Sequence, residues 1–193
     1  VDLIACIGGD GTFLNCVHEC RLPRTPIIGI NTGHLGFFQE LVPSELEMFV
    51  NHYNDGNYTV EKIHPIRALI TARDGIHEIT GINEILVMGM YTKLAHLSII
   101  MDDTPIQEFI GDGILVSTPV GSTAYNYSLG GSLVAPELDA LQLTPMAPMN
   151  TSAYRCFRSS ILYPASKNVR LVTRKSTVGD KLLLSYDGLT REF

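Results

Sequence analysis

The 193-residue sequence predicts an α/β segment over residues 1–60 followed by an antiparallel β-rich segment over residues 61–193. Three observations carry this. Up to residue 56, apolar strand-like runs alternate with helical stretches, as in parallel sheets with crossover helices. From Asn57 onward, strand-like runs follow one another, separated by turn signals such as Arg73-Asp74-Gly75 and Asp102-Asp103. With 45% hydrophobic and 18% charged residues, the chain has the composition of a globular protein able to bury a core.

The elements follow in order. Leu3 to Ile7 is an apolar strand, a glycine turn comes next, Thr12 to Cys20 is a helix, and Pro26 to Ile30 is a second strand. Strand, loop and helix in this order make the first segment partial Rossmann-like α/β. A helix from Ser44 to Tyr53 opens with a capping box, Ser44 as N-cap and Glu47 three residues on, and ends at Asp55-Gly56. The domain boundary is expected between residues 56 and 62. Strands are then expected at Tyr58 to Glu61, Ile66 to Ala72, Ile76 to Thr80, Glu84 to Met88, Ala95 to Met101 and Ile106 to Phe109. Further strands are expected at Gly113 to Ser117, Ile161 to Tyr163, Val169 to Thr173 and Lys181 to Ser185. A short helix over Ser122 to Ser128 interrupts them, where small and polar residues follow Pro119-Val120-Gly121.

Composition excludes several classes. The longest nearly uninterrupted apolar stretch, Ile85 to Tyr91, falls far short of the roughly 18 to 20 residues that a membrane helix needs, so no membrane partner is expected. The chain opens on a strand without a leader-like basic and apolar segment, as one that begins inside a domain, and a cytoplasmic location is expected. Cys6, Cys16, Cys20 and Cys156 form no CxxC and are expected to be buried and reduced. The Asn-x-Ser/Thr triplets at Asn57, Asn126 and Asn150 are expected to be chance matches. Fourteen Lys and Arg against 20 Asp and Glu give a net charge of −6, which argues against nucleic acid, because phosphate neutralisation needs clustered positive charge. No Lys or Arg occurs from Leu94 to Tyr154, whereas basic residues recur from Arg155 through Lys175. An anion held by the middle stretch must lean on backbone N–H groups, hydroxyls, a metal or cations from elsewhere.

The strongest local signal is Gly8-Gly9-Asp10-Gly11-Thr12, after a strand and before a helix. Glycines there let a phosphate approach backbone N–H groups near the helix N-terminus. An acidic residue in such a loop repels phosphate unless it binds a divalent cation or accepts a proton from a hydroxyl nucleophile; the bland alternative is an Asp that caps the helix. A second loop, Asn31-Thr32-Gly33-His34-Leu35-Gly36-Phe37, also follows a strand, so both lie where α/β sheets bind ligands. His34 by itself reads as a hydrogen-bonded loop residue and Phe37 by itself as core. Asn83-Glu84 begins a strand and Gly111-Asp112-Gly113 separates two, where an Asp between glycines is commonly a turn. Ser117 to Gly131 concentrates hydroxyls and glycines with no charge, which suits hydrogen bonding to a base or sugar, or close packing of a small-residue helix on the sheet. HExxH, paired CxxC, GxSxG and EF-hand spacings are all missing, so the corresponding hydrolase and calcium readings have no support.

In order and approximate spacing these motifs resemble those of NAD kinases of the bacterial type, from Leu3 to about Gly188. GGDGT alone is shared with diacylglycerol kinases, sphingosine kinases and phosphofructokinases, whereas the stretch Gly121 to Gly131, GSTAYNYSLGG, is specific to NAD kinases. The resemblance implies ATP-dependent phosphorylation of the adenosine ribose 2′-hydroxyl of NAD, with Mg²⁺ or Mn²⁺, in a homodimer or homotetramer. It implies that Asp10 activates the hydroxyl or organises metal and ATP, with Gly9, Gly11 and Thr12 beside it. It further implies that Asn83, Glu84 and Asp112 bind the dinucleotide, that Thr123, Ala124, Tyr125 and Ser128 wall its pocket, that Phe37 lies near the adenine, and that Ala147 makes a backbone contact on the nicotinamide side. A nucleotide-binding module without turnover and a lipid kinase sharing GGDGT are the alternatives.

Overall fold

The computed structural model describes residues 2–33, 36–91, 93–152, 155–173 and 181–193. These fall into two compact units, Val1–Lys62 and Ile63–Phe193.

The first unit contains β1 (Ile4–Ile7), α1 (Asp10–Glu19), β2 (Ile27–Ile30), β3 (Gln39–Leu41) and α2 (Leu46–Asn54). β1, β2 and β3 make one sheet in that order, and both pairings are parallel. The helix α1 starts two residues earlier than the sequence suggests, because Gly9 takes an extended conformation and serves as N-cap. Phe13, Leu14 and Val17 form its buried face, and Phe13 stacks on Phe38 with ring centroids 4.8 Å apart. β3 was not expected: three residues show no periodicity, and the link from β2 contains no helix among its described residues.

Two local expectations are corrected. The turn into α2 is a 3-10 turn, Pro43–Glu45, whose N-cap is Val42; Glu45 Oε2 accepts the Val42 N–H at 3.0 Å. Ser44 therefore lies inside the turn, because Pro43, with fixed φ and no N–H, suits the first helical position. Tyr58 to Glu61 is not a strand; Tyr58 instead stacks on Tyr53 of α2 at 5.2 Å.

The second unit contains β4 (Ile66–Ala72), β5 (Gly75–Gly81), β6 (Glu84–Gly89), β7 (Ala95–Met101), β8 (Thr104–Gly111), β9 (Gly113–Ser117), a 3-10 turn (Val120–Thr123), α3 (Tyr125–Ser128), β10 (Ala140–Met146), β11 (Ile161–Pro164), β12 (Val169–Thr173), β13 (Leu182–Tyr186) and β14 (Leu189–Glu192). Among the described residues all its pairings are antiparallel: a six-stranded sheet in the order β11-β10-β9-β6-β13-β14, a three-stranded sheet β12-β7-β8, and the hairpin β4-β5. Ala95, Leu97 and Ile99 alternate along β7 and pack with Phe109 of β8, Ile114 and Val116 of β9, Leu143 of β10 and Tyr163 of β11. This is the period-2 face of two stacked sheets. The expected helix over Ser122 to Ser128 is split at Ala124 into the end of the 3-10 turn Val120–Thr123 and the short helix α3, Tyr125–Ser128.

In this unit two strands escaped the sequence. β10 contains Pro145, which argues against a central strand. It is tolerated because β10 pairs with β11 over Ala140 to Leu143 alone, so at Pro145 only the β9 side is bonded. β14 follows the turn Asp187-Gly188, whose φ angles of 47° and 83° match the two-residue hairpin turns that follow the right-handed strand twist. Asp102 and Asp103, with φ of 44° and 65°, make the same kind of turn between β7 and β8. Lys167 and Arg170 pair with those two aspartates at 2.6 and 2.7 Å. Part of the basic segment is thus already neutralised in place; Arg174 and Lys175 lie outside the described residues.

The four cysteines are free, as expected, but not all are buried: Cys6 and Cys156 are, Cys16 is half-buried, and Cys20, at the C-cap of α1, is exposed. Burial and the neighbouring thiols of Cys6 and Cys20 push the Cys16 thiol up to about 11, which keeps it protonated at neutral pH.

Leu97, 1% exposed at the centre of the main core, provides the test of this packing. Leu97→Ala is expected to destabilise the protein by about 2 to 5 kcal/mol through lost burial and an unfilled cavity. Thermal unfolding should show a drop of roughly 2 to 4 °C per kcal/mol.

Candidate functional site

In the first unit the site is built on Asp10. It is the first residue of α1, placed by the glycine turn, and does not cap its own helix. Its carboxylate reaches across to the segment before β3: Oδ1 accepts the N–H groups of Phe37 and Phe38 at 2.9 and 3.0 Å, and Oδ2 accepts that of Phe37 at 3.0 Å. The two glycine-bearing loops are thereby fastened together at the carboxyl ends of β1 and β2. A carboxylate offers about four lone-pair positions, so three bonds leave room for one further partner. Gly9, Gly11 and Thr12 are exposed, and a side chain at either glycine would meet nothing within 4 Å, so this face of the loop is open. Phe37 is 55% exposed and touches Phe38 edge-on, so it is not the core residue it resembles by itself. His34 lies outside the described residues.

In the second unit the site grows from a buried polar cluster. Asn83, Glu84, Ser117, Thr118, Ser122, Asn126, Gln142, Thr144 and Asp187 are all at most 9% exposed. Their hydrogen bonds join four parts of the chain. The Asn83 carbonyl accepts the Thr118 N–H at 2.9 Å and the Thr118 hydroxyl at 3.2 Å. Gly121 lies so close to Asn83 that a Cβ there would sit 1.9 Å from the Asn83 carbonyl oxygen, so only glycine lets the 3-10 turn pack on the start of β6. Below that turn Asn126 Oδ1 accepts the Thr144 hydroxyl at 2.7 Å, and its Nδ2 donates to the carbonyls of Ser122 and Ser132. Asn126 is fully buried, consistent with its triplet being a chance match.

Above the cluster stand the exposed residues named by the motifs. The backbone N–H of Tyr125 reaches the Glu84 carboxylate, and the Tyr125 hydroxyl lies 4.0 Å from Met146 Sδ. The Met146 carbonyl accepts the Asp112 N–H at 3.0 Å. Ala147 follows with φ of 44°, and its carbonyl would lie 2.8 Å from a Cβ at Gly111, so Gly111 permits the close approach. Glu84, Tyr125, Asp112 and Ala147 are thus brought together, with the Asp112 side chain exposed between two buried glycines. Thr123 is exposed, with its hydroxyl donating to the Val120 carbonyl; Ala124 is half-buried and Ser128 is exposed at the end of α3.

Glu84 is electrostatically unusual. Burial, and secondarily the Asp187 charge, raise its carboxyl to about 7, against a lowering by the Tyr125 N–H. Its Oε2 is buried without a hydrogen-bond partner, a distinction shared among the described residues by Gln39 Oε1. Sequence reading missed the partners Asp187, Thr144 and Gln142, and it took in Asn126 only as part of the Ser117 to Gly131 stretch. The signal available was Asp187-Gly188 itself, a hairpin turn whose Asp is free to reach a neighbouring strand.

Residues 1–58 match the family model described as the ATP-NAD kinase N-terminal domain, and residues 82–189 match the ATP-NAD kinase C-terminal domain. An NAD kinase of Finegoldia magna is 40% identical over 191 residues, covering 97% of this chain and 70% of that protein. NAD kinase 1 of Listeria monocytogenes is 37% identical over 174 residues, covering 88% of this chain and 66% of the relative. Among solved structures, yeast NADH kinase complexed with NADH superposes with a TM-score of 0.83 at 26% identity, covering 99% of this chain and 55% of the other. An NAD kinase from Archaeoglobus fulgidus in complex with ATP gives 0.79 at 25% identity, covering 100% and 71%.

The environment of Glu84 has a measurable consequence. In the unfolded chain the carboxyl ionises near its ordinary value of 4.5, whereas in the fold it stays protonated to about 7. Between those values the folded state binds the extra proton, so this group's contribution to stability falls as pH rises. Glu84→Gln removes the effect, and unfolding midpoints should show the variant gaining on the wild type between pH 5 and pH 8, by up to about 3 kcal/mol.

Proposed function

The chain belongs to the NAD kinase family, and from that premise we propose that it transfers the γ-phosphate of ATP to the 2′-hydroxyl of the adenosine ribose of NAD, giving NADP. The chain spans 55 to 71% of the length of the relatives described above, so the activity is proposed for the whole protein. One observation carries the reading: both family domains match, in order, and the residues that bear their motifs form the two sites just described. The unpartnered Glu84 Oε2 and the exposed Asp112 suit the hydroxyls and amides of a dinucleotide better than a bare phosphate.

A ribose hydroxyl is a poor nucleophile at neutral pH, and phosphoryl transfer needs in-line positioning, charge neutralisation and a proton acceptor. Asp10 is the proposed acceptor, held in one orientation by the Phe37 and Phe38 amides and retaining one lone-pair position. Gly9, Gly11 and Thr12 give the triphosphate an open backbone surface at the start of α1, and Phe37 offers a ring face to the adenine. Asn83, Glu84 and Asp112 bind the dinucleotide, with Thr123, Ala124, Tyr125 and Ser128 as a wall and Ala147 at the nicotinamide side.

No three His, Cys, Asp or Glu side chains gather as a metal cage among the described residues. Mg²⁺ or Mn²⁺ is part of the proposal, since in phosphotransfer sites such ions take one or two carboxylates and complete their shell with phosphate oxygens and water. Asp10 would hold such an ion only in place of the proton-acceptor role, since one lone-pair position is left to it. When bound, the cation neutralises charge on the transferring phosphoryl group.

No helix among the described residues is long and apolar enough to cross a membrane. A cytoplasmic role in NADP biosynthesis is part of the proposal, as is a homodimer or homotetramer built through the β-rich unit. Exposed Leu69, Ile76 and Leu162 on its strands support the latter, since apolar sheet surface favours burial against a second copy.

Two substitutions in the full-length enzyme test the assignment. Asp10→Asn keeps one acceptor oxygen for the loop amides but removes the charge, and NADP formation followed by a coupled assay should fall by roughly 10² to 10⁴ in kcat with NAD binding largely retained. Asp112→Ala should raise the NAD Kd by more than about tenfold in calorimetry, as loss of a charged hydrogen-bond partner implies; a change under about twofold would remove Asp112 from the binding site.

A further inference from the structure

The turn Asp187-Gly188 joins β13 to β14, yet its aspartate is only 6% exposed. The carboxylate points back at the start of β6: Oδ2 accepts the Ile82 N–H at 2.6 Å, and Oδ1 accepts that of Asn83 at 2.8 Å and, at a longer 3.5 Å, that of Glu84. The strand register explains why a side chain is needed. The β6-β13 ladder runs from Leu182 opposite Gly89 to Tyr186 opposite Ile85, and there β13 turns away. The next amides of the β6 strand are buried, and without a partner each would cost the full desolvation of a polar group. Asp187 replaces the missing strand for the residues that form the Asn83-Glu84 motif, while Thr118 and Ser117 hold the same segment through the Asn83 carbonyl.

We propose that Asp187 is a positioning residue for dinucleotide recognition: by holding the backbone of Ile82 to Glu84 it fixes the direction of the Glu84 carboxyl. The inference rests on the reading of Asn83-Glu84 as part of the NAD site. Among the described residues, these groups face Glu84. Opposite it in β9 is Ser117, which carries no titratable group; from α3 comes the Tyr125 N–H; from the β13-β14 turn comes Asp187, the charged neighbour acting on it. A carboxylate beside a buried carboxyl disfavours a second negative charge, so removing the first lowers the pH at which the second ionises.

The test is steady-state kinetics on the full-length enzyme as a function of pH, for the wild type, Asp187→Asn and Glu84→Gln. Asp187→Asn is expected to raise the NAD KM by about tenfold or more while leaving the ATP KM within about twofold, because the lesion is local to the dinucleotide motif. In the wild type, NAD affinity should bend near pH 7, where Glu84 ionises. The bend should move down by roughly one pH unit in Asp187→Asn and vanish in Glu84→Gln. Should Asp187→Asn not fold, the bend's loss in Glu84→Gln against the wild type decides. An unchanged NAD KM in Asp187→Asn, an equal rise in both KM values with an unmoved bend, or a bend that survives Glu84→Gln would each overturn the inference. A wild type that binds ATP but not NAD would instead overturn the functional reading beneath it.

Discussion

The buried backbone at the start of β6 is the constraint on which the second unit depends. Three consecutive residues, Ile82 to Glu84, have no β13 neighbour while still inside the protein, and their backbone polar groups must be satisfied in a low dielectric. Asp187 takes the amides, Thr118 and Ser117 take the Asn83 carbonyl, and Gly121 leaves room for the turn that follows. From this knot the chain runs out to Tyr125, and through Met146 to Asp112 and Ala147. The exposed residues proposed to face the ligand are thereby joined by hydrogen bonds to the polar core below them.

Asp10 and Asp187 solve the same problem in different units. Each carboxylate gathers backbone N–H groups from a segment that has no strand partner, and each is placed by a tight turn. The stretch Leu94 to Tyr154 has no cation of its own, so charge in the second site is managed by burial, hydroxyls and oriented amides. That setting keeps the proton on Glu84 to about 7: burial disfavours its charge first, and the neighbouring Asp187 charge adds to this.

Periodicity made much of this fold legible. The alternation in β7 and the apolar runs of β1 and β2 are strong signals because one or both faces are buried. β3 was too short to show a period, and Pro145 masked β10, whose edge-like register at that point no linear reading reveals. The motifs marked Asp10, Glu84 and Asp112 by residue type and spacing, but not the supports. Asp187 is 104 residues from the Asn83 amide it holds, and Asn126 is joined to Thr144 through the fold. Long-range polar pairing leaves no periodic trace, whereas the turn that delivers Asp187 was written in its Asp-Gly pair.

The central claim is that the Glu84–Asp112 surface of the β-rich unit is where the dinucleotide is held. A crystal structure of the full-length protein soaked with NAD tests it most directly. The account predicts dinucleotide polar atoms within hydrogen-bonding distance of Glu84 Oε2 and of the Asp112 carboxylate, with the Asp187 bonds to Ile82 and Asn83 unchanged. Density for NAD elsewhere, with Glu84 Oε2 still lacking a partner, would contradict it.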